Sequence, residues 1–136
     1  MPPKIALITI LTDYIPDMIN FYSKVLGFTV KIDMGKYVEL ENDGVRFAIC
    51  DREIMLKATG NPTYLKTPDG QAFELAFPCD SPEEVNRTYE LIVSKGAKPI
   101  QPPASMEWGQ RTAFFADPDG NIHELFSEIK SEQPEK

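Results

Sequence analysis

The sequence predicts an α+β fold of two βαβββ modules, with both sheets curved around a shared concave cavity and the helices outside. Three observations predict it. The chain has 136 residues, room for one domain or two small repeats sharing a core but not for several domains. The order strand, helix, three strands can be read twice along it, although direct residue identity between the two runs is slight. The runs are separated by Arg52 to Gly70, a stretch holding Gly60, Pro62, Pro68 and Gly70 with no sustained period. A single βαβββ module leaves one sheet face open, so the economical arrangement packs helices on the outer faces and turns the sheets toward a common hollow. That hollow is the expected ligand site.

The elements follow in order. Lys4 to Leu11 is short and rich in Ile and Leu, the mark of a buried strand, and it ends at the turn-prone Thr12 and Asp13. Pro16 suits a first helical turn and Asp17 the positive end of a helix dipole. Met18, Phe21, Tyr22 and Val25 then recur at helical spacing up to Gly27. Three strands are predicted at Phe28 to Asp33, Lys36 to Glu41 and Val45 to Asp51, with Gly35 and the turn Asn42-Asp43-Gly44 between them.

After the connection the order returns. Gln71 to Phe77 is predicted as a strand, and Ser81-Pro82-Glu83-Glu84 as a capping box that satisfies orphan amides of the next helix. That helix carries Val85, Tyr89, Ile92 and Val93 as its apolar stripe and ends at Gly96. Strands are predicted at Lys98 to Gln101, Thr112 to Ala116 and Asn121 to Ser127, the last two joined by Asp117-Pro118-Asp119-Gly120. The expected organisation is one domain over residues 1–129, with modules at 4–51 and 71–129, a connection at 52–70 and a polar tail at 130–136.

Composition narrows the function. Hydrophobic residues at 42% and charged residues at 26% belong to an ordinary globular protein. The net charge of −7 has the wrong sign for a phosphate backbone or an anionic membrane, so nucleic acid is not an expected partner. A cationic or neutral organic ligand, or a metal ion, remains open. Cys50 and Cys79 lack CxxC spacing and are expected as buried free thiols. The apolar run from Ile5 to Leu11, broken by Thr9, is far shorter than the roughly 20 residues of a membrane span, and no signal-peptide pattern precedes it; the expected location is cytoplasmic. No Ser-His-Asp, Cys-His, phosphate-loop or HExxH arrangement is present.

Three stretches carry a family resemblance: Phe21-Tyr22-Ser23-Lys24-Val25-Leu26-Gly27-Phe28, Glu74-Leu75-Ala76-Phe77, and Trp108-Gly109-Gln110-Arg111 running through Asp117-Pro118-Asp119-Gly120-Asn121-Ile122-His123-Glu124-Leu125. With the element order they cover residues 4 to 129 and resemble the vicinal oxygen chelate superfamily, which contains glyoxalase I, extradiol dioxygenases, fosfomycin-modifying enzymes and the bleomycin-resistance binding proteins. The resemblance implies the glyoxalase-like fold, but the superfamily hosts many chemistries. In its enzymes a divalent metal is held by His, Gln or Glu at four strand positions, two from each module. Glu124 and Glu74 fall on the second-module positions, whereas the first-module positions fall on Leu7 or Ile8 and on Ala48.

Strand alternation then sorts the candidate site. With Glu124 inward, Ile122 and Phe126 share its face and His123 and Leu125 oppose it. Ala72, Glu74 and Ala76 likewise face the hollow, as do Arg46, Ala48 and Cys50, and Arg46 is placed to pair with a carboxylate or an anionic ligand group. Trp108, in the loop from Pro102 to Gln110, is placed to stack on a flat ligand or to anchor its loop. The expected ligand-binding set is Glu74, Glu124, Trp108, Arg46, Ala48 and Phe126, with no resident metal and no cofactor. The leading expectation is a metal-free small-molecule binding protein resembling the bleomycin-resistance branch, which sequesters a cationic or aromatic ligand in an acidic groove. The alternative is a glyoxalase-like lyase or isomerase, or a dioxygenase, with a divalent metal at Glu74 and Glu124. The resemblance further implies a homodimer, whose grooves would combine Glu74 and Glu124 of one chain with Leu7 and Ala48 of the other.

Overall fold

In the computed structural model, which describes residues 2–130, the chain is α+β and carries two separate four-stranded sheets. It divides into two compact units, and the division in sequence falls between Gly70 and Gln71. Residues 131–136 of the expected tail lie outside the described residues. No helix among the described residues is long and apolar enough to cross a membrane.

The first unit contains β1 (Leu7–Thr12), α1 (Ile15–Asn20), β2 (Val30–Asp33), β3 (Tyr37–Leu40), β4 (Arg46–Asp51) and α2 (Arg52–Thr59). Its sheet has the order β1-β4-β3-β2, with β1 parallel to β4 and the other pairs antiparallel. After Asn20 the helix widens into one π turn, Phe21–Val25, where the Leu26 N–H donates to the Phe21 carbonyl. The wider turn keeps Phe21, Tyr22 and Val25 all buried. Tyr22 meets Phe47 of β4 edge-on at 5.5 Å, which fixes the helix on the sheet.

The second unit contains β5 (Ala76–Pro78), α3 (Pro82–Ser94), β6 (Lys98–Ser105), β7 (Gln110–Ala116) and β8 (Ile122–Glu128). Its order, β5-β8-β7-β6, and its pairing directions repeat those of the first sheet. The capping box at α3 forms: the Ser81 hydroxyl accepts from the Glu84 N–H, and the Glu84 carboxylate accepts from the Asp80 N–H. At the other end Ala97 N–H bonds the Ile92 carbonyl and Gly96 N–H the Val93 carbonyl, a closure that needs the positive φ of Gly96.

Besides β1, which starts at Leu7 rather than Lys4, three elements differ from the sequence expectation. Residues 52–70 are not irregular throughout, because Asp51 accepts from Glu53 N–H and starts α2, and Gly60 at φ 69° stops it. The strand expected from Gln71 shortens to β5. The Gln71 side chain instead donates to the Ile122 carbonyl and accepts from the Ile122 N–H, replacing a backbone rung at that end of β8. At the sheet edge β6 runs on to Ser105 through Pro102 and Pro103, which an edge strand tolerates since one row of its amides has no ladder partner.

The alternation along β8 is sharp: His123, Leu125 and Ser127 are buried while Ile122, Glu124 and Phe126 are only partly so. Its N-terminal end is held by Asp117, which is 2% exposed. The Asp117 carboxylate accepts from the N–H groups of Asp119 and Asn121 and from the Asn121 amide, at 2.9 to 3.0 Å. Replacing it leaves those donors unmet, so Asp117→Ala is expected to destabilise the protein by about 3 kcal/mol. Urea denaturation of variant and parent measures this, and a loss under 1 kcal/mol would contradict the assigned role.

Candidate functional site

Glu124 and Glu74 converge on one face of the second sheet. The Glu124 N–H donates to the Leu75 carbonyl at 2.9 Å, which ties the Glu74 segment to β8. Ala76 pairs with Glu124 from β5 and Phe114 pairs with it from β7, so the carboxylate stands between a methyl group and a ring. Glu124 is partly buried and Glu74 exposed. Burial raises the Glu124 pKa above the usual carboxylate range, and the Glu74 charge and a hydrogen bond with Glu74 raise it further. Two carboxylates in such contact repel each other, so the pair forms an acidic patch that a bound cation would relieve. Phe126, two residues along, shares the face.

Four rows from the Phe114–Glu124 pair, Gln110 stands opposite Glu128 on the same face. Trp108 is 66% exposed and its indole N–H donates to the Gln110 side-chain oxygen at 3.0 Å; the Gln110 amide donates to Glu128 at 2.7 Å. The relay holds the indole at this row of the face, about 13 Å along the strand from Glu124. Stacking on a ligand and anchoring of the loop are therefore not exclusive: the N–H is used by the protein while the ring remains open.

Arg46 has a partner that the sequence reading missed. Its Nε and Nη2 donate to Glu39 at 3.0 and 2.8 Å, a two-pronged pair, and the Tyr37 hydroxyl stands 3.3 Å from the same carboxylate. Glu39 is 1% exposed, and the Arg46 bond and charge pull its pKa below the usual range although burial opposes them. Strand periodicity around Tyr37 to Leu40 was the one signal for it: Glu39 alternates with the core residues Val38 and Leu40, but nothing local tells a covered carboxylate from a solvated one. Ala48 pairs with Glu39 in register and is fully buried.

The β1 register settles which first-strand residue corresponds to Glu74. Thr9 pairs with Ala48 as Ala76 pairs with Glu124, so the residue two places earlier is Leu7 in one unit and Glu74 in the other. Ile8 pairs with Phe47 and belongs to the opposite face. The matching positions of the first unit, Leu7 and Ala48, therefore offer no donor atom.

His123 is fully buried on the other side of β8, among Phe73, Phe77 and Phe115, and its Nδ1 accepts from the Leu75 N–H at 3.1 Å. It cannot reach the Glu124 face without a change of register. Among the described residues no three His, Cys, Asp or Glu side chains gather as metal ligands. Imidazole and thiolate are missing beside Glu74 and Glu124, so the donor set does not fit a catalytic transition metal. Both cysteines are free; Cys50 is buried as expected but Cys79 only partly so, and burial raises the pKa of each thiol.

Since the folded-state pKa of Glu124 lies above its unfolded value, its favourable contribution is present in acid and is lost as pH rises through the folded pKa. Glu124→Gln, permanently neutral, is expected to be more stable than the parent at neutral pH by roughly 0.5 kcal/mol, the scale of a relieved like-charge pair on a sheet. The difference should vanish in acid. Calorimetric melting across pH checks it, and an equal gain at every pH would show that charge is not the cause.

Comparison with known proteins gives a consistent picture. The model of the Glyoxalase/Bleomycin resistance protein/Dioxygenase superfamily matches residues 4–125. The chain is 29% identical over 129 residues to "Uncharacterized protein YraH" of Bacillus subtilis (strain 168), covering 90% of this chain and 97% of that one. A crystal structure of a glyoxalase/bleomycin resistance protein/dioxygenase from Nocardioides superposes with a TM-score of 0.86 at 27% identity, over 100% of this chain and 90% of that one. A family enzyme of the same description from Burkholderia phytofirmans PsJN superposes at 0.83 with 21% identity, over 93% of this chain and 100% of that one, a likeness of fold.

Proposed function

The chain belongs to the Glyoxalase/Bleomycin resistance protein/Dioxygenase superfamily, and we propose that within it the protein is a small-molecule binder that takes a cationic aromatic guest without a resident metal or cofactor. The observation that carries this reading is the Glu74–Glu124 pair, two acidic side chains in contact beside Phe114. A guest amidinium or ammonium group relieves the repulsion between the two carboxylates, and its ring lies against Phe114 and Phe126. Apolar contact supplies affinity and the carboxylates supply orientation. The exposed Trp108 ring receives the far end of a guest long enough to reach it. The mechanism is sequestration, with no bond made or broken, and the homodimer implied by the family resemblance is kept as part of the proposal.

One observation favours the enzymatic alternative: a carboxyl with a raised pKa suits proton transfer in a glyoxalase-type isomerisation. Titration calorimetry with the flat aromatic diamidine DAPI, with its uncharged dicarboxamide analogue and with Mn2+ separates the two. The binder predicts DAPI affinity that rises with pH as Glu124 ionises, and that falls about tenfold or more in Glu124→Gln while the neutral analogue is little affected. Stoichiometric Mn2+ binding lost in that variant, with no preference for the cation, would sink the binder and select the enzyme.

A further inference from the structure

The first unit carries a pocket whose chemistry does not depend on the Glu74–Glu124 reading. A pocket of about 390 Å3 is lined there by Lys31, Glu39, Leu40, Arg46 and the turn residues Glu41 to Asp43. Glu39 is covered, and two cations converge on it: the Arg46 guanidinium through two hydrogen bonds and the Lys31 ammonium at 4.0 Å. The Lys31 and Arg46 side chains are themselves half open, at 51% and 54% exposure. Two cations against one carboxylate leave one excess positive charge, fixed in place on a chain whose net charge is −7.

The placement of Lys31 has a backbone cause. The β2–β3 ladder shifts register between Val30 and Ile32, so Lys31 is the extra residue of a bulge, a device that re-aims a side chain. The other wall of the pocket is of opposite sign. Glu41 and Asp43 are exposed on the β3–β4 turn, which the Asn42 amide holds by donating to the Val45 carbonyl at 2.7 Å. The pocket therefore has a cationic end built around Glu39 and an anionic rim at the turn.

We propose that this pocket binds a small zwitterion, its carboxylate or phosphate oxygens on Lys31 and the free edge of Arg46, its amine against Glu41 and Asp43. The Glu39 carboxylate, already fully engaged, keeps the guanidinium oriented rather than meeting the ligand. A simple anion gains only half of these contacts and is repelled by the rim.

Two-dimensional amide NMR of the full chain tests the proposal, with phosphoethanolamine and γ-aminobutyrate as probes and inorganic phosphate and butyrate as amine-free controls. The expected result is a saturable shift of the Lys31, Leu40 to Asp43 and Arg46 amides at roughly millimolar probe, as for a small ligand held by partly exposed ion pairs. Lys31→Gln should weaken both probes about tenfold. That variant leaves the Arg46–Glu39 pair intact, and an otherwise unchanged spectrum verifies its fold. Shifts that do not saturate, an affinity unchanged in Lys31→Gln, or equal binding of the amine-free controls would overturn the proposal. The two probes also tell a phosphate ligand from a carboxylate one.

Discussion

The register of β8 is the constraint on which the second unit depends. One strand carries His123, Leu125 and Ser127 into the core and Glu124 and Phe126 to the opposite face. A slip of one residue would bury the carboxylate and expose the core side chains, and this is far costlier than any single contact on the strand. The register is pinned on both sides. The Asp117 carboxylate gathers the donors of the preceding turn, and the Gln71 amide clasps the Ile122 backbone in place of a β5 rung. His123 adds a third tie through its bond from Leu75, so the residue beside the candidate site acts as its anchor.

The two units share a topology but solve the carboxylate problem differently. In the first, the glutamate on the Ala48 face comes from β3, is covered, and is paired within the unit with the Arg46 and Lys31 cations and hydrogen-bonded by the Tyr37 hydroxyl. A carboxylate that has left water needs such partners, because its desolvation is not otherwise recovered. In the second, Glu124 comes from β8 and its nearest ionisable companion is another carboxylate. Duplication of a fold has therefore not duplicated the chemistry: corresponding positions are Leu7 and Ala48 in one unit, Glu74 and Glu124 in the other.

Charge on this protein works locally more than globally. A net charge of −7 describes the long-range field, which screening confines to about 10 Å at ordinary ionic strength. Within that distance the Lys31–Glu39–Arg46 cluster sets an excess positive charge beside the acidic Glu41 and Asp43, and the Glu74–Glu124 pair is acidic throughout. Composition alone directs attention to cations, and it is the folded chain that creates an exception.

The sequence by itself determined the repeated element order, the capping box at Ser81, the turns at Asn42 and Asp117 and the faces of β8, whereas β4 is buried on both faces from Phe47 to Cys50. Each is set by residues a few positions apart: period-two burial, a hydroxyl beside free amides, a carboxylate two and four residues from its donors. α2 was equally local, since Asp51, Glu53, Lys57 and Gly60 spell a capped helix, but the prolines and glycines around it pointed to a loop. What only the tertiary structure decided involves residues far apart along the chain or across strands. Glu39 meets Arg46 and Lys31 through ladder register and a bulge, Gln71 displaces a rung 51 residues away, and Glu74 reaches Glu124 across the β5–β8 edge. Pairings of this kind depend on which strands lie side by side, and no local preference encodes that.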